Sequence, residues 1–466
     1  MRTRRILVSL LVACALTAVP AARVLAEEPD LDASLPVDPA VHMIQLPNGL
    51  ECWLREHGTP PDRLGVWMHV DSGSLNEADG QRGLAHFLEH MAFNGSEHFP
   101  PGELVKYFES IGLRFGQHQN AFTGFDQTVY TLALPDTKRD TIAKGMLCMS
   151  DYAFRLSLLP EEVEKEKGVV LEEVRARKGP GQRIIEKLLP IILPGSRVAE
   201  RLPIGKEEVI EGLDTQKVRA YYEERYRPDN TTVLVVGDAD PAMVEELIRE
   251  HFAGWEPVER PAPEADPGVS PYEAVRAAVV TDPEAAETEV SVISVRALEQ
   301  LKTVGDFRRN LVDSLGAWIV NRRFLEMLQK GEAPFQEAEV EKSPFLNTCT
   351  YIDATATGKP DAWREMLQSV LTELKRARTH GFLAQELDNA RKAIAANAEQ
   401  NARIEPTRDA RAFLRRMNSA LAQDKKPMSA GQKLKLIQQL IQTVSLEEVT
   451  AAFRRNFQPD ARLLLV

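Results

Sequence analysis

Cysteine is scarce in this sequence: Cys14, Cys52, Cys148 and Cys349 are the whole complement. An odd set outside the first residues makes no disulfide framework, and Cys148 and Cys349, placed among apolar neighbours, read as buried thiols rather than metal ligands. There is no long Lys or Arg run, and 57 basic against 69 acidic residues leave a net charge of −12, which argues against nucleic acid as a partner. Beyond the first 26 residues no apolar run approaches the roughly 20 residues of a spanning helix, so the body of the chain is expected to be soluble.

Those first residues are different. Arg2, Arg4 and Arg5 form a basic start, Ile6 to Ala22 is mostly apolar, and Val24-Leu25-Ala26 fits a small-residue cleavage site, so residues 1–26 read as an export signal. Removing them takes away Arg2, Arg4, Arg5 and Arg23 and no acid, which moves the net charge from −12 to −16. The expected location is periplasmic or secreted. A membrane anchor is the alternative, as is lipidation of Cys14, because Leu11-Val12-Ala13-Cys14 resembles a bacterial lipoprotein signal.

At roughly 100–200 residues per domain, 466 residues suggest two to four domains. The richest breaker segment, Glu256 to Pro271, cannot continue a helix or a central strand and is taken as a linker. On its two sides the chain repeats itself: Thr215 to Val236 and Leu446 to Val466 share a helical pattern, an aromatic, Pro-Asp and an apolar strand. At a constant offset of 231, Val218 matches Val449, Ala220 matches Ala451, Pro228 matches Pro459 and Asp229 matches Asp460. Strands are expected at Leu64–Val70, Thr128–Leu134, Thr231–Val236, Glu287–Val295 and Thr348–Ala356. Helices are expected at Thr141–Leu156, Pro160–Arg177, Pro241–Phe252, Phe307–Leu328, Pro360–Arg378 and Leu383–Arg403. The class is α+β: two related domains, residues 41–255 and 272–466, each a mostly antiparallel sheet packed with helices. After its strand the first copy runs on into a helix ending near Trp255, whereas the second stops at Val466. Either this copy ends early or the chain is part of something longer.

The densest chemistry is His86-Phe87-Leu88-Glu89-His90. On a helix His86 and His90, four apart, share one face and can point ring nitrogens at one metal ion. Glu89 stands beside them, free to act as a general base on the attacking water. Apolar residues surround the three, and an ordinary buried hydrogen-bond network would satisfy them too. A catalytic zinc site needs a third ligand. Glu166 and Glu173, two helical turns apart on one face, are the candidates, although a solvated acidic helix would show the same pattern.

HxxEH followed some eighty residues later by E-x6-E resembles the pitrilysin and insulin-degrading enzyme family of zinc peptidases, the inverzincins. Gly116 to Tyr130, GQHQNAFTGFDQTVY, is similar to that family's Asn-Ala-x-Thr segment, and Arg201-Leu-Pro-Ile-Gly205 resembles another recurrent stretch. The likeness runs from about Val41 to Val466 and implies the metalloenzyme (LuxS/peptidase-like) fold. It also implies Zn2+ as cofactor with His86, His90 and Glu173 as ligands, Glu89 as general base and Glu166 as a supporting acid. The gap from His90 to Glu173 is slightly long, which leaves Glu172 as the alternative ligand. Gln119, Asn120, Ala121, Phe122 and Thr123 would form the strand edge to which a peptide substrate adds.

One departure stands out. The family completes its site with an Arg-x6-Tyr pair, and Leu328 and Phe335 occupy those positions here; neither side chain can donate a hydrogen bond. The resemblance therefore implies the zinc-bearing half of an endopeptidase acting on peptides or small unfolded proteins. A second peptidase half or subunit would supply the pair. The alternative is a non-catalytic or partner-dependent binding subunit on the same fold.

Overall fold

The computed structural model describes residues 29–114, 116–258 and 265–466. Residues 1–28, which include Cys14 and the expected export signal, and residues 259–264 of the expected linker lie outside the described residues. The first half comprises β1 (His42–Gln45), β2 (Glu51–Glu56), β3 (Leu64–Val70), α1 (Leu84–Met91), α2 (Glu103–Ser110), β4 (Gln119–Thr123) and β5 (Thr128–Leu134). It continues with α3 (Arg139–Phe154), α4 (Pro160–Ala176), α5 (Pro180–Ile192), α6 (Glu207–Glu211), α7 (Thr215–Arg225), β6 (Thr231–Gly237) and α8 (Pro241–Phe252). The second half comprises β7 (Arg276–Ala278), β8 (Thr288–Ala297), α9 (Val304–Lys330), β9 (Glu337–Phe345), β10 (Cys349–Gly358) and α10 (Trp363–His380). It closes with α11 (Ala384–Ile404), α12 (Ala410–Leu421), α13 (Ala430–Leu440), α14 (Leu446–Asn456) and β11 (Leu463–Leu465).

Local chemistry accounts for many of these boundaries. Pro160 opens α4 where no backbone donor is needed, and Thr303 and Asp306 form a capping box at the start of α9. Gly331, in the left-handed region, ends α9. The helix expected over Thr141–Leu156 starts earlier, at Arg139, and stops at Phe154, leaving Leu156 to bridge Ser96.

Among the described residues the strands form two sheets, ordered β1-β2-β6-β3-β5-β4 and β7-β11-β8-β10-β9. Apart from β1 the orders coincide. Val233 on β6 pairs parallel with Cys52 and antiparallel with Met68; Leu464 on β11, 231 residues later, pairs parallel with Ala277 and antiparallel with Val292. The repeat seen at the two strand ends thus extends to whole sheets. Each sheet packs helices on one face, α1, α3, α7 and α8 on the first and α9, α10 and α14 on the second.

The other face of each sheet is covered from the opposite half. Phe413, Leu414 and Met417 of α12 pack on Trp53, Trp67, Val129 and Leu234 of the first sheet. Gly65 on β3 makes this approach possible, because a Cβ there would stand 2.4 Å from Leu414 Cδ1. In return Leu75, Leu193 and Val198 of the first half join Ile293, Val295, Leu463 and Leu465 of the second sheet. This two-sided burial explains why β3 reads as one apolar run rather than an alternation. Among the described residues no helix is long and apolar enough to cross a membrane.

Phe413 is the anchor of α12: 2 % exposed, it meets the His57 ring at 4.5 Å and lies under the guanidinium groups of Arg55 and Arg416. Phe413→Ala is expected to cost about 3–5 kcal/mol of unfolding free energy, measured by urea titration.

Candidate metal centre

The helix α1 is held at its start by groups outside it. Its N-cap, Gly83, has no side chain to offer, so the buried Glu77 carboxylate accepts the backbone N–H groups of Gly83 and Ala85 at 3.0 and 2.8 Å. Burial pushes the Glu77 carboxyl up to about 8 against the pull of those donors and of Arg201. Arg201 is itself buried, donates to the Glu77 carbonyl and pairs with Asp79. Gly205 then lies flat against Gly83: a Cβ on Gly205 would sit 2.3 Å from the Gly83 Cα, and both residues have positive φ. The Arg201–Gly205 stretch is therefore the buttress that aims α1.

On α1, His86 and His90 present ring centroids 4.7 Å apart, and α4 crosses beneath them. Glu173 Oε2 stands 3.7 Å from His86 Nε2 and 3.2 Å from His90 Nε2. Among the described residues this is the one group of three His, Cys, Asp or Glu whose ligand atoms converge, all within 4.8 Å of one another. Glu172 points to solvent and pairs with Arg175 at 2.7 Å, so α4 brings Glu173 and not Glu172 to the histidines. Glu166, one face and two turns earlier, accepts from His90 Nδ1 at 2.9 Å and from Asn94 Nδ2 at 2.7 Å. Glu89 turns the other way, toward β4, where the Thr123 hydroxyl donates to it at 2.6 Å.

The electrostatics suit a cation. Burial, reinforced by the charge of His90, holds the His86 imidazole down at about 4, so it is neutral. Burial would lower His90 as well, but the hydrogen bond and charge of Glu166 outweigh it and raise the ring's affinity for a proton. Glu166 is lowered because His90 and Asn94 outweigh its burial, whereas burial raises Glu89 despite Thr123. Three carboxylates thus meet two imidazoles, with Arg177 on Glu173 as the nearby cation. His86 Nδ1 is buried without a hydrogen-bond partner. Tetrahedral zinc ligands at about 2.0–2.2 Å lie a little over 3 Å apart, and two nitrogens with one carboxylate oxygen are a zinc donor set. The residues fit that ion.

β4 is an edge of its sheet. Gln119 reaches Tyr152 and Thr123 reaches Glu89, which puts Gln119, Ala121 and Thr123 on the side of α1 and Asn120 and Phe122 on the other. The His118 carbonyl accepts from Ala133 and Gly124 donates to Gln127, so by antiparallel alternation the backbone groups of Ala121 and Thr123 face away from β5. All five residues expected at a substrate edge lie on that strand beside Glu89.

The second copy lacks the set. Positions 224 residues beyond His86, Glu89, His90, Glu166 and Glu173 hold Asn310, Asp313, Ser314, Ala390 and Asn397. Lys342 stands across β10 where Thr123 stands across β5, and its ammonium lies 2.5 Å from Asp313. Leu328 and Phe335 pack in the second core, Phe335 against Phe324 at 5.7 Å. Three residues escaped the sequence reading. Glu77 and Arg177 carry no motif; Asn94, four after His90, was open to detection as a further residue on the same face.

The model for Insulinase (Peptidase family M16) matches residues 54–193, and that for the Peptidase M16 inactive domain matches residues 212–394. The Probable zinc protease PqqL of Escherichia coli (strain K12) is 28 % identical over 431 residues, covering 91 % of this chain and 45 % of that protein. The crystal structure of the periplasmic protease PqqL from Escherichia coli superposes with a TM-score of 0.88 at 26 % identity, over 93 % of this chain and 48 % of that one. The structure of the first half of the same protease gives 0.87 at 26 % identity over 93 % of both chains. The chain therefore spans about half the length of the curated relatives it matches.

Because Glu166 fixes the ring of His90, Glu166→Ala is expected to weaken zinc affinity about 10- to 100-fold with the fold intact, read by competition with a chromophoric chelator.

Proposed function

Since this chain belongs to the insulinase family of peptidases, family M16, we propose that it is the metal-bearing half of a zinc-dependent endopeptidase. The convergence of His86 Nε2, His90 Nε2 and Glu173 Oε2 beside the Glu89 carboxylate carries the reading. His86, His90 and Glu173 would hold the ion, which when bound supplies Lewis-acid chemistry to water and to the scissile carbonyl. Glu89, its affinity for protons raised by burial, takes the proton of the attacking water and delivers it to the leaving amine. Thr123 holds that carboxylate on the side of the incoming peptide. The peptide adds as a strand along Ala121 and Thr123, whose outward backbone groups satisfy its own. Peptides and small unfolded proteins are the substrate class, because a strand edge reads extended backbone.

Leu328 and Phe335 stand where the family carries its oxyanion donors, and neither side chain can donate. Leu328 and Phe335 lie in a core, so we assign the Arg and Tyr of the reaction to a second peptidase half or subunit, in keeping with relatives about twice this length. The same observation favours a second reading, a peptide-binding subunit that is silent alone. Export is proposed from the basic and apolar residues 1–26 and from the periplasmic relative.

Cleavage of a quenched peptide by the zinc-loaded chain together with its second half is expected to fall at least 100-fold in Glu89→Gln while zinc content is unchanged. Chelation is expected to abolish it and zinc to restore it. Equal activity in Glu89→Gln would overturn the base assignment, and zinc-loaded protein inactive with every partner half would favour the binding subunit.

A further inference from the structure

The two sheets differ in one covering. In the first half α8 packs across α3 and the inner face of β2, burying Val244, Leu247, Ile248 and Phe252. Under it Leu50 and Cys52 are 0 % exposed and Leu54 is 2 % exposed. At its flank Arg139 of α3 makes a two-pronged ion pair with Glu246 of α8, at 3.0 and 2.9 Å, and Phe154 stacks on Trp255.

The strand register identifies the same positions in the second half. Cys52 sits beside Val233 as Ala277 sits beside Leu464, so Leu50, Cys52 and Leu54 correspond to Val275, Ala277 and Val279. Here Val275 is 52 % exposed, Val279 is 65 % exposed, and Ala277 is exposed too. Likewise Leu134 pairs with Leu64 as Gly358, 224 later, pairs with Thr288, which sets α10 on α3 without a gap. The buried Ile142 and Met146 fall on the buried Met366 and Val370. The outer residues Arg139, Ala143 and Leu147 fall on Trp363, Leu367 and Leu371. These three, half-buried, form a shallow, open apolar strip along α10 flanked by Arg364 and Lys375. Helix face and sheet face are the two walls that hold α8 in the first half, and in the second both are more apolar than a solvated surface requires.

We propose that this face is the seat of one amphipathic α-helix with the chemistry of α8, supplied from outside the described residues. It lays apolar side chains against Trp363, Leu367, Leu371 and Val279, and turns acidic side chains toward Arg364 and Lys375. Charge complementarity selects an acidic flank, as Arg139 selects Glu246. The seat lies on the second copy and does not depend on the zinc chemistry of the first, so the two can fail separately.

The test supplies such a helix to the full chain. A second copy of residues 236–255 joined after Val466, in the register the repeat dictates, places α8's own sequence beside the seat at high effective concentration. Amide hydrogen exchange in α10 and β7 is expected to slow at least tenfold, and Leu371→Asp in the extended chain to abolish the slowing. Arg364→Glu, an exposed position outside the core, is expected to reduce the slowing severalfold and guards against a folding defect in Leu371→Asp. No slowing, or slowing that survives both substitutions, would overturn the proposal. An unextended chain that is a dimer with α10 protected, dissociated by Leu371→Asp, would also overturn it, since the occupant would then be a second copy.

Discussion

The whole site turns on one electrostatic imbalance. Glu89, Glu166 and Glu173 bring three carboxylates to the edge of the first sheet, against two imidazoles of which His86 is held neutral. Buried like charges are tolerated only when each is committed to a partner, and the commitments here divide the work. Glu166 is spent on His90 and Asn94, Glu89 on Thr123, and Glu173 shares itself between the two rings and Arg177. The remaining negative charge faces the convergent nitrogens. A helix that rotated by even a fraction of a turn would scatter these pairings, and α1 is fixed by the buried Glu77 carboxyl group and a glycine-on-glycine contact rather than by an ordinary cap.

The second copy shows the same backbone solving a different problem. Where Glu89 meets Thr123, Asp313 meets Lys342, and a built-in ammonium supplies the positive charge. Asn456 donates a hydrogen bond to Asp313 at 2.8 Å and the Arg455 guanidinium lies 3.6 Å away, so the carboxylate is satisfied from within the chain. The pair keeps α9 registered on its sheet while removing any call for an ion.

Features encoded in spacing were legible from residues alone. His86 and His90 needed only a helix to share a face, and the strands β3 and β5 ran as their apolar patterns implied, whereas Glu166 and Glu173, two turns apart on one face, were chosen over a solvated acidic helix only through the family resemblance. What depended on long-range contact was hidden. Glu77 acts across a loop, and the choice between Glu172 and Glu173 depends on which side of α4 lies under α1. The role of α12 is set by Gly65, more than three hundred residues earlier, and by the sheet to which it belongs. The repeat was readable at its 231-residue offset because Pro-Asp survives in both copies. Across α3 and α10 it was not, because Arg139 and Ala143 have become Trp363 and Leu367.

The reciprocal covering of outer faces has a consequence for how this architecture can be divided. A cut in the linker would leave the first sheet without α12, exposing Trp53, Trp67 and Leu234, and would strip the second of Leu193 and Val198. Neither piece keeps a closed interior. The two copies, although each has its own core, therefore form one unit of burial, in which each copy is the solvent shield of the other.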